Sequence, residues 1–458
     1  MIHTYTLGGY NLALDTASGG VFVLDEPTFR LLERLRPPLT EQCPAQVLDA
    51  LSDLCDAPTL RESYAELYEL ARQGQLFCED TFDRWTGLIA SAPVKSMCLN
   101  IAHDCNLRCR YCFASTGDFG AGRKLMPFAV GKAAIDFLIE QSQGRHHLEV
   151  DFFGGEPLMN FEVVRQIVAY ARSLEQEHDK QFRFTITTNG MLLDDDKIAF
   201  INREMSNVVL SIDGRREVND RVRTRVDGSG CYDAILPKFK RLLEARGYEN
   251  YYVRGTFTKY NLDFAEDFAH LFELGFDQIS IEPVVSDSSC PWALTEEDLP
   301  AICAEYERLA QKVLALKKAG KVVNFFHFMV DMEQGPCAIK RLKGCGCGNE
   351  YVAVTPDGDL YPCHQFVGQE GWRMGSVCDG SFDFNRKADF ATANIYNKPD
   401  CRDCWAKFYC SGGCNANNAQ YCGDIFKAHT LSCALERKRV ECALMIQAAL
   451  ADEKGNEA

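Results

Sequence analysis

Cys105, Cys109 and Cys112 stand at C-x3-C-x2-C spacing in Cys105-Asn-Leu-Arg-Cys109-Arg-Tyr-Cys112, just after an apolar run at Met97–Ile101. Three thiolates on one tight loop can hold three irons of a cubane and leave the fourth iron without a protein ligand. An electron-transfer cluster normally has four protein ligands, so such a vacancy points to a second molecule bound there. Zinc is the alternative, but its sites usually pair a CxxC with a second pair or with histidines. Gly154-Gly155-Glu156-Pro157 and Ser211-Ile-Asp213-Gly214 each follow a later apolar run. The glycines let a ligand approach the backbone closely. Arg223, with Arg221 and Arg225 beside it, reads on its own as a surface charge, and Thr187-Thr188-Asn189-Gly190 reads as a helix-entry turn or a ligand contact.

A second array runs Cys401-x2-Cys404-x5-Cys410-x3-Cys414, then Cys433, with Cys345, Cys347 and Gly358-x4-Cys363 upstream. The chain holds 22 cysteines. Its opening, MIHTYTLGGYNLALD, lacks the basic region and apolar run of a signal peptide, and no stretch approaches the ~20 apolar residues of a membrane span. A cytoplasmic protein is expected, and in a reducing cytosol such cysteines read as metal or redox chemistry rather than disulfides. Cysteines outside the arrays, such as Cys422 and Cys442, read as small buried hydrophobes.

The elements that must position these residues fall into three regions. Residues 1–90 open with alternating runs at Thr4–Leu14 and Val21–Leu24 around a turn at 16–20, read as a hairpin. Helical patterns follow at Pro27–Arg36 and Leu60–Gln73, and 74–77 reads as a short closing strand, the make-up of a small winged-helix module. Residues 91–320 repeat strand, loop and amphipathic helix six times, with strands at Met97–Ile101, Leu148–Phe153, Phe182–Thr187, Val208–Ile212, Tyr251–Phe257 and Gln278–Ile281. That implies an α/β fold with a parallel sheet, either doubly wound or a partial barrel. In both, loops after the strands carry the chemistry, which is where the motifs lie. In residues 321–450 periodicity fades while Cys, Gly and Asp rise, as where metal replaces part of a core. The tail 451–458 reads as polar and frayed.

With 458 residues, two or three domains with sizeable cores are expected. The 46% hydrophobic and 25% charged make-up is that of a soluble globular chain. The net charge of −16 argues against nucleic acid or an anionic membrane as partner.

The cysteine spacing, its place after the first strand and the aromatic Tyr111 and Phe113 resemble the radical S-adenosylmethionine (SAM) superfamily. The resemblance implies a [4Fe–4S] cluster on Cys105, Cys109 and Cys112, with SAM chelating the open iron and cleaved to a 5′-deoxyadenosyl radical. It also implies SAM contacts at Tyr111, Phe113, Gly154, Gly155, Glu156, Pro157, Ser211 and Arg223, with Glu156 on the SAM ammonium and Arg223 on its carboxylate. The second array resembles the SPASM domain, a two-cluster extension. Carried over, Cys401, Cys404, Cys410 and Cys433 hold an outer auxiliary cluster, and Cys414 crosses to an inner one with Cys363 and either Cys345 or Cys347. Cys345 is favoured as the ligand and Cys347 as the spare, and Cys337 is the other source of a fourth ligand. Without that fourth ligand the inner cluster keeps an open iron where a substrate thiolate can bind.

MIHTYTLGGYNLALDTASGGVFVLDE, NIAHDCNLRCRYCFASTGDFG, LEVDFFGGEPLMNFE and GCGCGNEYVAVTPDGDLYPCHQFVG together resemble maturases of SCIFF peptides, short cysteine-rich ribosomal precursors. The resemblance implies an N-terminal RiPP recognition element for the leader peptide, a partial (β/α)6 TIM-like barrel and a C-terminal SPASM domain. It further implies three [4Fe–4S] clusters and SAM, an external flavodoxin- or ferredoxin-like electron donor, and thioether cross-links from cysteine sulfur to threonine carbons of the precursor core, as in sactipeptides and ranthipeptides. The rival is an anaerobic sulfatase-maturing enzyme, which makes formylglycine. No general base stands out, although Asp151 and His364 lie near motifs.

Overall fold

The computed structural model describes residues 1–90, 92–330 and 341–457, and Cys337 lies outside them. The first apolar run is itself a hairpin, because Gly8 and Gly9 take positive φ (61° and 86°) and break it in two. The N-terminal sheet therefore has three antiparallel strands, β1 (Ile2–Leu7), β2 (Tyr10–Asp15) and β3 (Val21–Leu24), in that order. Helices Glu26–Arg34, Ala45–Ala50 and Ala57–Arg72 pack behind it. Asp25 and Asp56 cap the first and third, each carboxylate accepting from a backbone N–H of the first turn. Leu31, Leu32, Leu60, Tyr64 and Leu67 form this unit's own core. Residues 74–77 form no strand; Gly74 and Phe77 sit at positive φ, and the Asp15 carboxylate accepts from the Cys78 N–H at 2.9 Å.

The central sheet is built from β4 (Ser96–His103), with the short β5 (Lys124–Leu125) against it, then β6 (His147–Gly154), β7 (Gln181–Thr188), β8 (Met205–Ser211), β9 (Tyr251–Phe257) and β10 (Gln278–Pro283). Strands β4, β6, β7, β8, β9 and β10 lie side by side in chain order and all pair in parallel. A doubly wound sheet would reverse its order partway across. The unbroken order gives the partial-barrel arrangement instead. Phe152, Phe184, Val208, Val253 and Ile279 are fully buried against helical Ile135, Ile167, Phe239 and Phe268. Burial of each such side chain stabilises the fold by about 1.5–3 kcal/mol. Helices Asp195–Glu204 and Arg216–Val222 complete the units that the sequence pattern left undefined.

The sheet extends beyond the barrel at both edges. β11 (Asn324–Phe325) adds to β10, and β12 (Tyr351–Val354) adds in parallel to β4. The antiparallel β13 (Asp359–Tyr361), β14 (Gly375–Ser376) and β15 (Ser381–Phe382) follow β12. The cysteine-rich region is thus continuous with the strand that leads into the three-cysteine loop. The last element is a helix, Thr430–Glu457, in place of the fraying expected for the tail. It packs on Leu299–Lys318, where Arg439 donates to Tyr306 Oη at 2.9 Å. Cys442 is fully buried in that contact, as a small hydrophobe. The same helix clamps the N-terminal sheet: Glu441 meets His3 at 3.1 Å, and the His3 ring stacks on Trp405. Among the described residues no helix is long and apolar enough to cross a membrane.

Candidate functional site

The three-cysteine loop leaves the C-terminal end of β4 and is fixed from three sides. The Asp104 carboxylate accepts from the Cys105 N–H, and the Arg108 and Arg110 amides donate to the carbonyls of Thr224 and Val222. Asn189 Nδ2 donates to Cys105 Sγ at 3.6 Å. Gly117 and Gly155 are required by close approach: a Cβ on Gly117 would lie 2.6 Å from Cys105 Cβ, and one on Gly155 2.2 Å from the Asp104 carbonyl oxygen. The Gly155 and Glu156 amides donate to the carbonyls of Ala102 and Asp104, so the β4 and β6 loops meet backbone to backbone.

Cys105, Cys109 and Cys112 act on one another electrostatically, and all three line one cavity. Burial pushes the Cys105 and Cys109 thiols up to about 12, while the Arg223 charge pulls them down. As free thiols they stay protonated; bound iron reverses that and makes them thiolates. Among the described residues no three His, Cys, Asp or Glu side chains converge as a single metal ion would need. Three thiols on one loop at one cavity, with neither a second cysteine pair nor a histidine among them, are the donor set of an iron–sulfur cluster with one open iron.

Across the cavity, Tyr111 donates to both Asp213 carboxylate oxygens at 2.8 and 2.9 Å and accepts from Arg223 Nη1 at 2.8 Å. Burial holds the Asp213 carboxyl up, at about 6. Arg223 is 7% exposed and is no surface charge, and its Nε has no partner. That unpaired donor fits an anionic group of a ligand. Ser211 lines the same cavity at the end of β8. Gly154 sits at φ 124° within 2.4 Å (Cβ position) of the Ala102 carbonyl.

Glu156 is fully buried, and its carboxylate accepts from the Leu158 N–H, Thr188 Oγ1 and the Asn189 N–H. Three protein donors thus occupy a group expected to face a ligand ammonium, and its first effect is to hold the 188–190 turn. Pro157 starts the short helical turn Pro157–Asn160 behind it. Phe113 is 44% exposed, and it and Phe153 flank the His364 ring at 5.4 and 4.9 Å. Burial pushes His364 down to about 4, so it is neutral and a weak base. Asp151, half-buried on β6, is held up at about 7 by burial first and by Glu149 second.

Sequence reasoning missed Arg254 and Glu282 as parts of the site, and it named Asp213 and Asn189 only within their motifs, without their partners. Arg254, midway along β9, and Glu282, next to the last residue of β10, line the cavity 3.7 Å apart, and His327 meets Glu282 at 3.3 Å. For Glu282 the available signal was its place near a strand end.

The second array forms two thiol groups. Cys401, Cys404, Cys410 and Cys433 act on one another, with Arg437 bonded to Cys404. Cys345, Cys347, Cys363 and Cys414 form the other. Cys347 is buried beside Cys363, as close to the group as Cys345, which was the favoured ligand. Gly346 and Gly348, both at positive φ, turn the chain sharply enough for sulfurs one residue apart to face the same group. Cys345 is exposed as a residue while its sulfur turns inward.

Residues 99–274 match the Radical SAM superfamily, and residues 345–405 match SPASM, an iron-sulfur cluster-binding domain. An uncharacterized protein of Methanocaldococcus jannaschii is 30% identical over 192 residues, 41% of this chain and 62% of that relative. A cysteine-type anaerobic sulfatase-maturating enzyme of Clostridium novyi is 24% identical over 69% of this chain and 86% of its own length. The solved structure of anSMEcpe with bound AdoMet superposes with TM-score 0.64 at 20% identity over 79% of this chain and all of that one. SuiB of Streptococcus suis, bound to S-adenosylmethionine, gives TM-score 0.55 at 16% identity over 94% of this chain and 98% of that one. These structural likenesses show the fold, and the two domain matches imply [4Fe–4S] clusters and SAM. With its motifs at the ends of β4, β6 and β8, the chain is an enzyme that carries a radical SAM domain and a SPASM domain.

Proposed function

We propose that this enzyme installs thioether cross-links between cysteine sulfur and threonine carbons in a ribosomal, cysteine-rich precursor peptide of SCIFF type. The observation that carries the reading is a shared wall. His364 and Gln365, directly after Cys363, line the cavity into which the three-cysteine loop points. A peptide lying there meets the radical-generating loop on one side and a thiol group on the other.

Cys105, Cys109 and Cys112 would hold the SAM cluster, which with SAM supplies a 5′-deoxyadenosyl radical. Arg223, through its unpaired Nε, would hold the SAM carboxylate, with Ser211 on the ribose and Gly154–Pro157, Tyr111 and Phe113 around the rest. Cys401, Cys404, Cys410 and Cys433 would hold an outer cluster. Cys345, Cys347, Cys363 and Cys414 would hold an inner one, making three in all. Cys345, exposed as a residue, would be the ligand that a substrate thiolate exchanges with, which would fix that sulfur for attack. The bond change would balance: the acceptor carbon gives a hydrogen atom to the 5′-deoxyadenosyl radical, the sulfur gives up a proton to solvent, and the clusters would take the one electron left over. The walls of Phe113, Phe153 and His364 exclude water from a radical that would otherwise abstract the nearest hydrogen.

Residues 1–90 would bind the leader peptide by strand addition, since β3 is an edge of its sheet with Val23 exposed. An external flavodoxin- or ferredoxin-like donor would supply the electron for SAM cleavage. SuiB bound to the precursor peptide SuiA also has this fold over 94% of the chain, which favours a peptide substrate.

The relationship to sulfatase-maturating enzymes and the four thiols of the inner group favour formylglycine formation as the second reading. Co-expression with the precursor separates the two. Cross-linking removes two hydrogens per bond and reduces the number of alkylatable thiols, whereas a formylglycine mass signature supports the rival.

A further inference from the structure

Lys398 lies between the two C-terminal thiol groups. The residue is 1% exposed, and its Nζ donates to the Gly412 carbonyl at 2.8 Å and to Asn415 Oδ1 at 2.7 Å. Both acceptors are neutral. The ionisable groups acting most strongly on it are Cys401 and Cys410 of the outer group and Cys414 and Cys347 of the inner one. Cys345 and Cys433 feel its charge in turn. Of the other buried lysines, Lys343 pairs with Glu350 at 3.1 Å and Lys407 with Asp80 at 2.5 Å, while Lys180 donates to the Gln143 and Arg145 carbonyls with no cysteine of either array beside it. Among the described residues Lys398 makes no carboxylate ion pair.

A buried charge is costly unless it is paired. Here the counter-charge must come from sulfur, on both sides at once. The position is also rigid. The Lys398 N–H donates to the Asn394 carbonyl, its own carbonyl accepts from the Cys401 N–H at 3.0 Å, and Gly412 packs against its side chain.

We propose that Lys398 is a positioning residue whose fixed positive charge is shared by both SPASM clusters and raises their reduction potentials together. The proposal rests on the two-cluster reading given above. Reduction adds one negative charge to a cluster, and a fixed cation in a low-dielectric setting stabilises the added charge. One ammonium facing both groups therefore acts on two potentials. Arg437 provides the contrast, since it is exposed and faces only Cys404, Cys433 and Cys410.

The test uses the full chain with Cys105, Cys109 and Cys112 changed to alanine, which leaves only the auxiliary clusters, and an EPR-monitored redox titration. Lys398→Gln should retain iron and lower both midpoints, each by at least a tenfold fall in the reduced-to-oxidised ratio at fixed potential, about 59 mV for one electron. Asn415→Asp, which sets a carboxylate of equal size against the ammonium, should also lower both and decides the matter if Lys398→Gln fails to fold. Arg437→Gln should lower one midpoint alone. Unmoved midpoints, or movement of only one, in an iron-replete Lys398→Gln or Asn415→Asp protein would overturn the role of Lys398. Fewer than about eight irons in the parent, at four per cluster, would overturn the two-cluster reading and the proposal with it.

Discussion

The Arg223 guanidinium donates to the Tyr111 hydroxyl at 2.8 Å, which joins the segment after β8 to the three-cysteine loop. Tyr111 is fixed from its other side by Asp213. The cation is thereby held beside Cys109 with one buried donor unpaired. Charge-assisted hydrogen bonds contribute about 1.5–3 kcal/mol. Arg223→Ala should therefore weaken SAM binding by about tenfold or more, with iron content unchanged. Tyr111→Phe should weaken it less, because the guanidinium keeps its charge and loses only its fixed position. Anaerobic equilibrium binding alongside iron analysis checks both, and normal SAM affinity in Arg223→Ala would count against the assignment.

Glu156 gathers Leu158, Thr188 and Asn189 around one buried carboxylate. Glu156→Gln replaces one acceptor oxygen with a donor facing donors. Loss of a buried charge-assisted acceptor should cost about 1–3 kcal/mol, read as a lower denaturant midpoint. Hydrogen exchange at the Asn189 amide should rise with it. A variant as stable as the parent would show that the carboxylate is free for a ligand instead.

Cys347, buried beside Cys363, is the fourth ligand proposed for the inner cluster. Cys347→Ala should lower the iron content of the reconstituted chain from about 12 to about 8 per chain, counting four per cubane. Cys345→Ala should retain about 12, because its place at the rim is the exchangeable one. Full iron in Cys347→Ala would restore the reading of Cys347 as a spare.

Much of this was legible in the sequence because the chemistry is local. Cys105, Cys109 and Cys112 act within one loop, and the alternation of strand and helix was strong enough to place six parallel strands within a few residues. Tyr251–Phe257 matched at both ends. Features made by distant partners were not legible. Helix Thr430–Glu457 has its apolar face defined by Leu299–Lys318 and by β1, so its own sequence carries little periodicity. The split of the first run at Gly8-Gly9 depends on two positive φ angles, which an alternating pattern does not report. Spacing alone also made Cys345 and Cys347 look like competitors, because the turn made by Gly346 and Gly348 is a backbone property. The Arg223–Tyr111–Asp213 chain joins residues over a hundred positions apart.

Asp151 gives a pH signature. Its folded value, about 7, lies above the ordinary 3.8 because burial disfavours the charge. Between those values the folded chain keeps a proton that the unfolded chain has released. Its contribution is fully present below about pH 4 and is lost as pH rises through 7, with a slope of at most about 1.4 kcal/mol per unit. Asp151→Asn stays neutral throughout, so its unfolding midpoint should fall less than the parent's between about pH 4 and 7, the window set by that shift. Parallel profiles for the two proteins would contradict the assignment.

The most direct test of the central claim is tandem mass spectrometry of the leader-bearing, cysteine-rich precursor after anaerobic incubation with the full chain, SAM and a strong reductant. The account predicts 5′-deoxyadenosine together with a peptide lighter by two hydrogens per cross-link, with cysteine–threonine fragments that resist alkylation. A formylglycine residue, or an unmodified precursor despite 5′-deoxyadenosine release, would contradict it.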